Sequence, residues 1–341
     1  MGEARRAGEG GFGAARRARL FGASDLMFLW SLELGAWCLV LGTWSLEPGA
    51  WSLELGSFEL LAHCSCSAHG APRLLPPLLF PLALHGSRVH IGGMDSAAPL
   101  VSIRSLVKRF GGFTAVGGVS LDIPAGCLFA LLGPNGAGKT TTIKLLMGLL
   151  KPTEGSVTVC GMDAFEDSVN VKSCVGYLPD EPVFYDFMRG REIIRFCGEM
   201  RGLPLADIQS RCDVLAERLQ LTSALDEFAE NYSRGMKKKL GLICAMIHEP
   251  PLLILDEPTN GLDPHSTLVL HALMKETVAA GRTVFFSTHL LDQAERLCDR
   301  VAIVRGGTIA AQGTLAELRG SFGEDRSLEE LFFELTEQQA A

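Results

Sequence analysis

Gly133, Pro134, Asn135, Gly136, Ala137, Gly138, Lys139, Thr140 and Thr141 follow the apolar run Leu128–Leu132 and fit the pattern G-x-x-x-x-G-K-[ST]. In such a loop the glycines let the backbone curl, so that successive N–H groups point inward at phosphate oxygens. Lys139 is placed to reach the terminal phosphates, and Thr140 to offer its hydroxyl to a magnesium ion. A helix opening at Gly138 adds its positive dipole end to the same anion. The bland alternative is a glycine-rich turn with a solvated lysine. A second stretch, Leu252–Asp256, is an apolar run ending in a carboxylate, as at the strand ends where doubly wound sheets place their ligands. Asp256 suits magnesium, held mostly through water because that small ion keeps several of its waters. Glu257, adjacent, suits a general base that polarises an attacking water.

His289 follows the apolar run Val284–Phe286 and reaches the same edge, where spacing alone allows a structural or a functional histidine. Ser233 opens a helix-period stretch over 233–247, where its hydroxyl can cap free N–H groups. A helix start of this kind also suits a phosphate. Phe110, after Lys108 and Arg109, is either a core side chain or an aromatic platform for a base.

The elements that must position these residues read as a compact α/β domain from Leu100 onward. Val101–Val107 alternates as an antiparallel strand should, and the runs Phe113–Val116 and Val119–Ile123 continue it before the turn Pro124-Ala-Gly126. A helix over about 138–149, a strand Ser156–Cys160 and a short buried strand Ser173–Leu178 follow. Helix-period stretches are predicted near 189–201, 206–219, 233–247 and 264–280. Leu252–Leu255 and Thr283–Phe286 read as parallel strands covered on both faces. Val301–Val304, a Gly306-Gly307 turn and two short amphipathic helices near 314–320 and 327–336 close the chain.

At 341 residues the chain has room for one large domain or two ordinary ones. A net charge of −8 disfavours nonspecific nucleic-acid binding, so no nucleic-acid partner is expected. Ten cysteines without a C-x-x-C pair indicate neither a zinc knuckle nor a disulfide framework, and a reduced, cytosolic setting is the plain inference.

Taken in order, these motifs resemble the ATP-binding subunits of ABC transporters, over residues 99 to about 337. Among these, the chain looks most like the single-domain bacterial subunits that pair with separately encoded ABC-2-type permeases. The closest cues are Tyr232-Ser-Arg-Gly-Met-Lys-Lys-Lys239 and Asp256-Glu-Pro-Thr-Asn-Gly-Leu-Asp-Pro264. The resemblance implies an α/β P-loop NTPase over 94–341, with a mixed, largely parallel core sheet and an antiparallel β subdomain. It also implies an α-helical signature subdomain over about 183–247 and a short tail from about 313. It implies ATP and Mg2+ as cofactors, ATP hydrolysis coupled to transport, and a peripheral position on the cytoplasmic face of the membrane.

Residue by residue, the resemblance makes Phe110 the adenine-stacking aromatic, Glu257 the general base and His289 the contact to the γ-phosphate. Ser233 and Gly235 become the groups that reach the nucleotide held by a second subunit, in a homodimer or a heterodimer with a paralogue. Asp263 closes a segment that crosses that interface. Tyr232, Arg234 and Met236 depart from the family pattern Leu-Ser-Gly-Gly-Gln. Asp180 stands where the family has a glutamine that reaches the metal and the attacking water. Being shorter and charged, it is a candidate metal ligand with Thr140 and Asp256, but it cannot donate a hydrogen bond. A soluble ABC ATPase without a transport role is the alternative function.

Residues 1–93 do not read like the rest. Trp30, Trp37, Trp44 and Trp51 recur every seven residues, and Phe58 continues the series. Gly35, Gly42, Gly49, Gly56 and Pro48 oppose a coiled coil, while Glu33, Glu47 and Glu54 break any membrane span. A secretory signal would have a shorter apolar core, and a seven-codon tandem repeat read in frame explains the period. Met94 then begins an ordinary-looking start. The expectation is a mispredicted or disordered extension, against an interfacial anchor or a partner-binding tail. Mass spectrometry of the endogenous protein should return tryptic peptides only from Met94 onward; a single peptide from before it contradicts this reading.

Overall fold

The computed structural model describes residues 98–322 and 328–337. The tryptophan repeat of the first 93 residues lies outside them, as do Cys64 and Cys66. Two sheets carry the architecture. The first is antiparallel, in the order β2 (Phe113–Ile123), β1 (Val101–Phe110), β4 (Glu154–Val159), β5 (Met162–Asp163). The second has six strands in the order β10 (Thr308–Thr314), β9 (Arg300–Arg305), β3 (Leu128–Leu132), β8 (Thr283–Thr288), β7 (Leu252–Asp256), β6 (Val175–Leu178). Its five members from β9 to β6 run parallel, and β10 closes the edge antiparallel to β9. This is the mixed, largely parallel core sheet with a separate antiparallel sheet that the resemblance implies.

Alternation along the central strands explains why their sequences are apolar throughout. On β3, Leu128, Ala130 and Leu132 enter one core while Phe129 and Leu131 enter the other. On β7, Leu253 and Leu255 share the first core, and Leu252 and Ile254 the second. Both faces are covered, as in parallel sheets generally. The second core joins the antiparallel sheet and the helix Lys139–Leu146 to one face. The first joins the helices Gly190–Glu199, Leu205–Arg218, Arg234–Met246 and Pro264–Ala279 to the other. Each fully buried leucine contributes roughly 2 kcal/mol, so the sheet edge that carries the polar groups stands on a rigid base.

The helix Arg234–Met246 packs so closely on β6 that a Cβ added to Gly176 would stand 2.0 Å from the Ala245 carbonyl oxygen. Only a glycine permits that approach, and it fixes the height of the helix over the sheet.

Some expected boundaries move. The runs Phe113–Val116 and Val119–Ile123 are one continuous strand through Gly117 and Gly118. The strand expected from Ser173 starts at Val175, because Ser173 and Cys174 close a helix, Ser168–Cys174, that the sequence reading left out. Strand β10 was also unread. The last two helices are Leu315–Phe322 and Leu328–Glu337. Among the described residues no helix is long and apolar enough to cross a membrane.

Candidate functional site

The phosphate-loop sequence joins β3 to the helix Lys139–Leu146, so the loop sits at the carboxyl end of a central strand. Gly138 caps that helix at φ 99°, and a Cβ there would stand 2.5 Å from the Ala115 carbonyl oxygen. Position and backbone both demand glycine. The loop is held from outside: Gly307 N–H donates to the Ala137 carbonyl at 3.1 Å, and Gly117 N–H to the Gly307 carbonyl at 2.7 Å. The first intrahelical bond is Thr142 N–H to the Gly138 carbonyl at 2.9 Å. The N–H groups of the opening turn therefore have no partner within the helix, which is the arrangement that binds anions.

Strands β7 and β8 are adjacent, with Asp256 directly opposite Ser287. Asp256 is 1% exposed. Burial raises its pKa, and the Ser287 and Thr140 hydroxyls beside it oppose that shift. Its Oδ1 accepts from Ser287 Oγ at 2.5 Å, while Oδ2 is buried without a hydrogen-bond partner among the described residues. An orphaned carboxylate oxygen beside a threonine hydroxyl fits a hard cation such as Mg2+. No cluster of three or more His, Cys, Asp or Glu able to hold a metal is present among the described residues.

Glu257 takes a left-handed backbone, φ 43°, which costs a non-glycine residue about 1–2 kcal/mol. Three contacts hold it there. Its N–H donates to Ser287 Oγ at 2.9 Å, and its carbonyl accepts from Lys238 Nζ at 2.9 Å and from Asn260 N–H at 3.2 Å. Its carboxylate faces two partners: Lys139 Nζ lies 3.0 Å from Oε1, and His289 Nδ1 lies 2.9 Å from Oε2. The lysine also donates to the Gly133 carbonyl at 2.7 Å. With Glu257 ionised, its oxygens only accept, so His289 Nδ1 carries a proton and Nε2 donates onward only from the imidazolium. Lys139, Thr140, Asp256, Glu257 and His289, identified separately along the sequence, converge on one sheet edge.

Other expected site residues lie around this cluster. Ser233 caps the helix Arg234–Met246, its Oγ accepting from Met236 N–H at 3.2 Å. A Cβ on Gly235 would approach the Gly261 carbonyl oxygen to 2.9 Å. Neither contacts the cluster among the described residues. Tyr232 buries its ring and donates to the Ala224 carbonyl at 2.6 Å, which accounts for that departure from the family pattern as packing. Phe110 is half exposed, with Lys108 Nζ 5.0 Å from its ring centroid, and is not a core side chain. Asp263 caps the helix Pro264–Ala279 through Ser266, whose N–H and hydroxyl hold its carboxylate well below the usual range.

Asp180 stands near enough to Asp256 for its charge to help raise that carboxyl's pKa. Its Oδ1 lies 3.3 Å from Lys238 Nζ and accepts from Asn260 Nδ2 at 3.3 Å. Ser287, Lys238 and Asn260 were not singled out from the sequence. Strand register alone puts Ser287 opposite Asp256, and a lysine run reads as a solvated face until one of its members is found buried.

Residues 116–260 match the ABC transporter family. An uncharacterized ABC transporter ATP-binding protein of Bacillus subtilis, YdbJ, is 39% identical over 246 residues, which cover 72% of this chain and 77% of that one. The chain belongs to the ABC transporter ATP-binding proteins. It is an ATPase of that family, with the family's fold. The daunorubicin/doxorubicin resistance ATP-binding protein DrrA of Streptomyces peucetius is 36% identical, over 66% of this chain and 68% of its own length. A solved ATP-binding subunit of an ABC transporter superposes with a TM-score of 0.67 at 35% identity, covering 69% of this chain and 99% of that one. An ATP-binding cassette solved as a dimer with ADP and Pi shares the fold, at 20% identity and a TM-score of 0.59, covering 63% of this chain and 98% of that one.

Replacing Ser287 with alanine removes the partner of both Glu257 N–H and Asp256 Oδ1 in a buried setting. Support of this kind is worth about 10–100-fold. Ser287→Ala is expected to lower kcat for ATP hydrolysis by about that factor, with nucleotide affinity within about threefold in equilibrium binding. Wild-type turnover would remove Ser287 from the site.

Proposed function

We propose that two copies of this chain, or this chain and a paralogue, close on two ATP molecules and thereby drive a separately encoded membrane permease. The observation that carries the reading is the meeting of Lys139, Glu257 and His289 at the mouth of the phosphate loop.

The N–H groups of Gly136, Gly138, Lys139, Thr140 and Thr141 cradle the phosphates, with Pro134, Asn135 and Ala137 shaping the turn between them. Phosphate oxygens compete with Gly133 and Glu257 for the ammonium of Lys139. When they take it, Glu257 Oε1 is released as a proton acceptor while Oε2 stays on His289. The water oxygen then bonds to the γ-phosphorus, its proton passes to Glu257, and the bond to the β-bridging oxygen breaks to leave ADP. Thr140 and Asp256 would hold the magnesium ion, which supplies positive charge to the β- and γ-phosphates when bound. Phe110, exposed on the hairpin whose Ala115 touches the loop, stacks on the adenine.

Ser233 and Gly235 present the tip of the helix Arg234–Met246 to the γ-phosphate of the opposite subunit, so each site is complete only in the closed pair. Hydrolysis removes the shared phosphate and reopens it. Similarity to DrrA and to the Nod factor export ATP-binding protein I of Ralstonia nicotianae supports an ABC-2-type permease as partner. The chain then sits on the cytoplasmic face of the membrane, and the permease selects the cargo.

Glu257→Gln keeps the shape of the base and removes its proton affinity. Hydrolysis is expected to fall about 10²–10⁴-fold. The variant should run as a stable dimer in size-exclusion chromatography with light scattering when ATP and Mg2+ are present. Turnover at the wild-type rate would reject Glu257 as the base.

A further inference from the structure

The helix Arg234–Met246 is fastened to the segment after β6 by a row of ion pairs. Arg234 Nη2 lies 3.1 Å from Glu181, Lys237 Nζ 3.7 Å from Asp186, and Lys238 Nζ 3.3 Å from Asp180. The first two pairs involve exposed acids and are screened, so they contribute little. The third differs in kind. The Lys238 side chain is 1% exposed, and its ammonium also donates to the Asp180 carbonyl at 2.6 Å and the Glu257 carbonyl at 2.9 Å, with the Asp256 carbonyl at 3.4 Å.

A buried ammonium is retained only where carboxylate and carbonyl oxygens replace its lost water. Burial does lower the lysine's pKa, and Asp180 opposes that shift. Asp180 is therefore the counter-charge of Lys238. Its Oδ1 also accepts from Asn260 Nδ2, on the loop that follows Glu257. Lys238 in turn grips the carbonyl of Glu257, the non-glycine residue that this site holds in a left-handed backbone. It sits five residues after Ser233 on the same helix, about 7.5 Å along the axis. A shift of the helix tip is thus transmitted through a short, stiff connection to the backbone that aims the Glu257 carboxylate.

We propose that Asp180 and Lys238 form a positioning pair, through which the helix Arg234–Met246 sets the placement of Glu257 for hydrolysis, rather than Asp180 serving as a ligand of the metal. This rests on Glu257 acting in hydrolysis. It assigns this chain's aspartate a charge partner where the family's glutamine has none to neutralise.

The test is a double-mutant cycle in the full chain with Asp180→Asn, Lys238→Met and both together, plus Lys238→Arg as the charge-keeping variant. Three quantities are read: kcat and KM for ATP, the Mg2+ concentration for half-maximal rate, and the urea midpoint. Each single variant should lower kcat about tenfold with KM within about twofold. The double variant should be no slower than Lys238→Met alone, and the urea midpoints should be non-additive in the same sense. Lys238→Arg should recover part of kcat, and it carries the test if Lys238→Met fails to fold. Half-maximal Mg2+ should not move in Asp180→Asn. A tenfold rise in that concentration, with rate effects that multiply in the double variant, would make Asp180 a metal ligand and overturn the proposal. Wild-type kcat in both single variants would overturn it as well. Should Glu257→Gln hydrolyse at the wild-type rate, the base assignment fails on its own, while coupling in urea would still report the pair.

Discussion

Everything in the site depends on one buried ion pair. Lys139 and Glu257 meet at 3.0 Å with side chains 6% and 9% exposed. Moving two charges out of water costs several kcal/mol each, and their attraction repays this only when further hydrogen bonds satisfy both groups. Here the Gly133 carbonyl takes one lysine proton and His289 faces the second carboxylate oxygen. The same desolvation makes the pair useful. A triphosphate brings a denser negative charge to the same ammonium, and the groups that receive it are already in place.

The fold is what brings the pair together. Lys139 opens the helix that follows β3 and Glu257 directly follows β7, while β8, which carries Ser287 and leads into His289, lies between β3 and β7. The paired cores cover both faces of this sheet, and the polar groups of the site gather at its carboxyl edge. The left-handed turn at Glu257 is the local cost, and Ser287, Lys238 and Asn260 hold it. Strain of this kind persists only where its surroundings over-determine it.

Much of this was legible from local pattern. The phosphate loop, the acid pair after Leu252–Leu255 and the apolar central strands each announce themselves within a few residues. What stayed hidden depends on register and facing. Ser287 matters because β8 sets it against Asp256, a pairing that no spacing reveals. Lys238 is buried while Lys237 beside it is only partly covered, since successive helix residues turn by about 100°. Gly117 and Gly118 look like punctuation, yet β2 runs through them, and Gly117 N–H anchors the Gly307 turn against the loop. The helix Ser168–Cys174 was missed because seven residues with two valines carry no helical period.

The same facing logic explains how departures from the family pattern are absorbed. Tyr232 fills the core beside Gly190, where a Cβ would meet its hydroxyl at 2.2 Å, and Arg234 reaches Glu181 across the segment after β6. Neither change touches the phosphate loop. The most direct test of the central claim is a crystal structure of the full chain with a non-hydrolysable ATP analogue and Mg2+. The account predicts that Lys139 Nζ leaves Gly133 and Glu257 to lie about 3 Å from β- and γ-phosphate oxygens, with Glu257 still on His289. A bound triphosphate with the Lys139–Glu257 pair intact would contradict it.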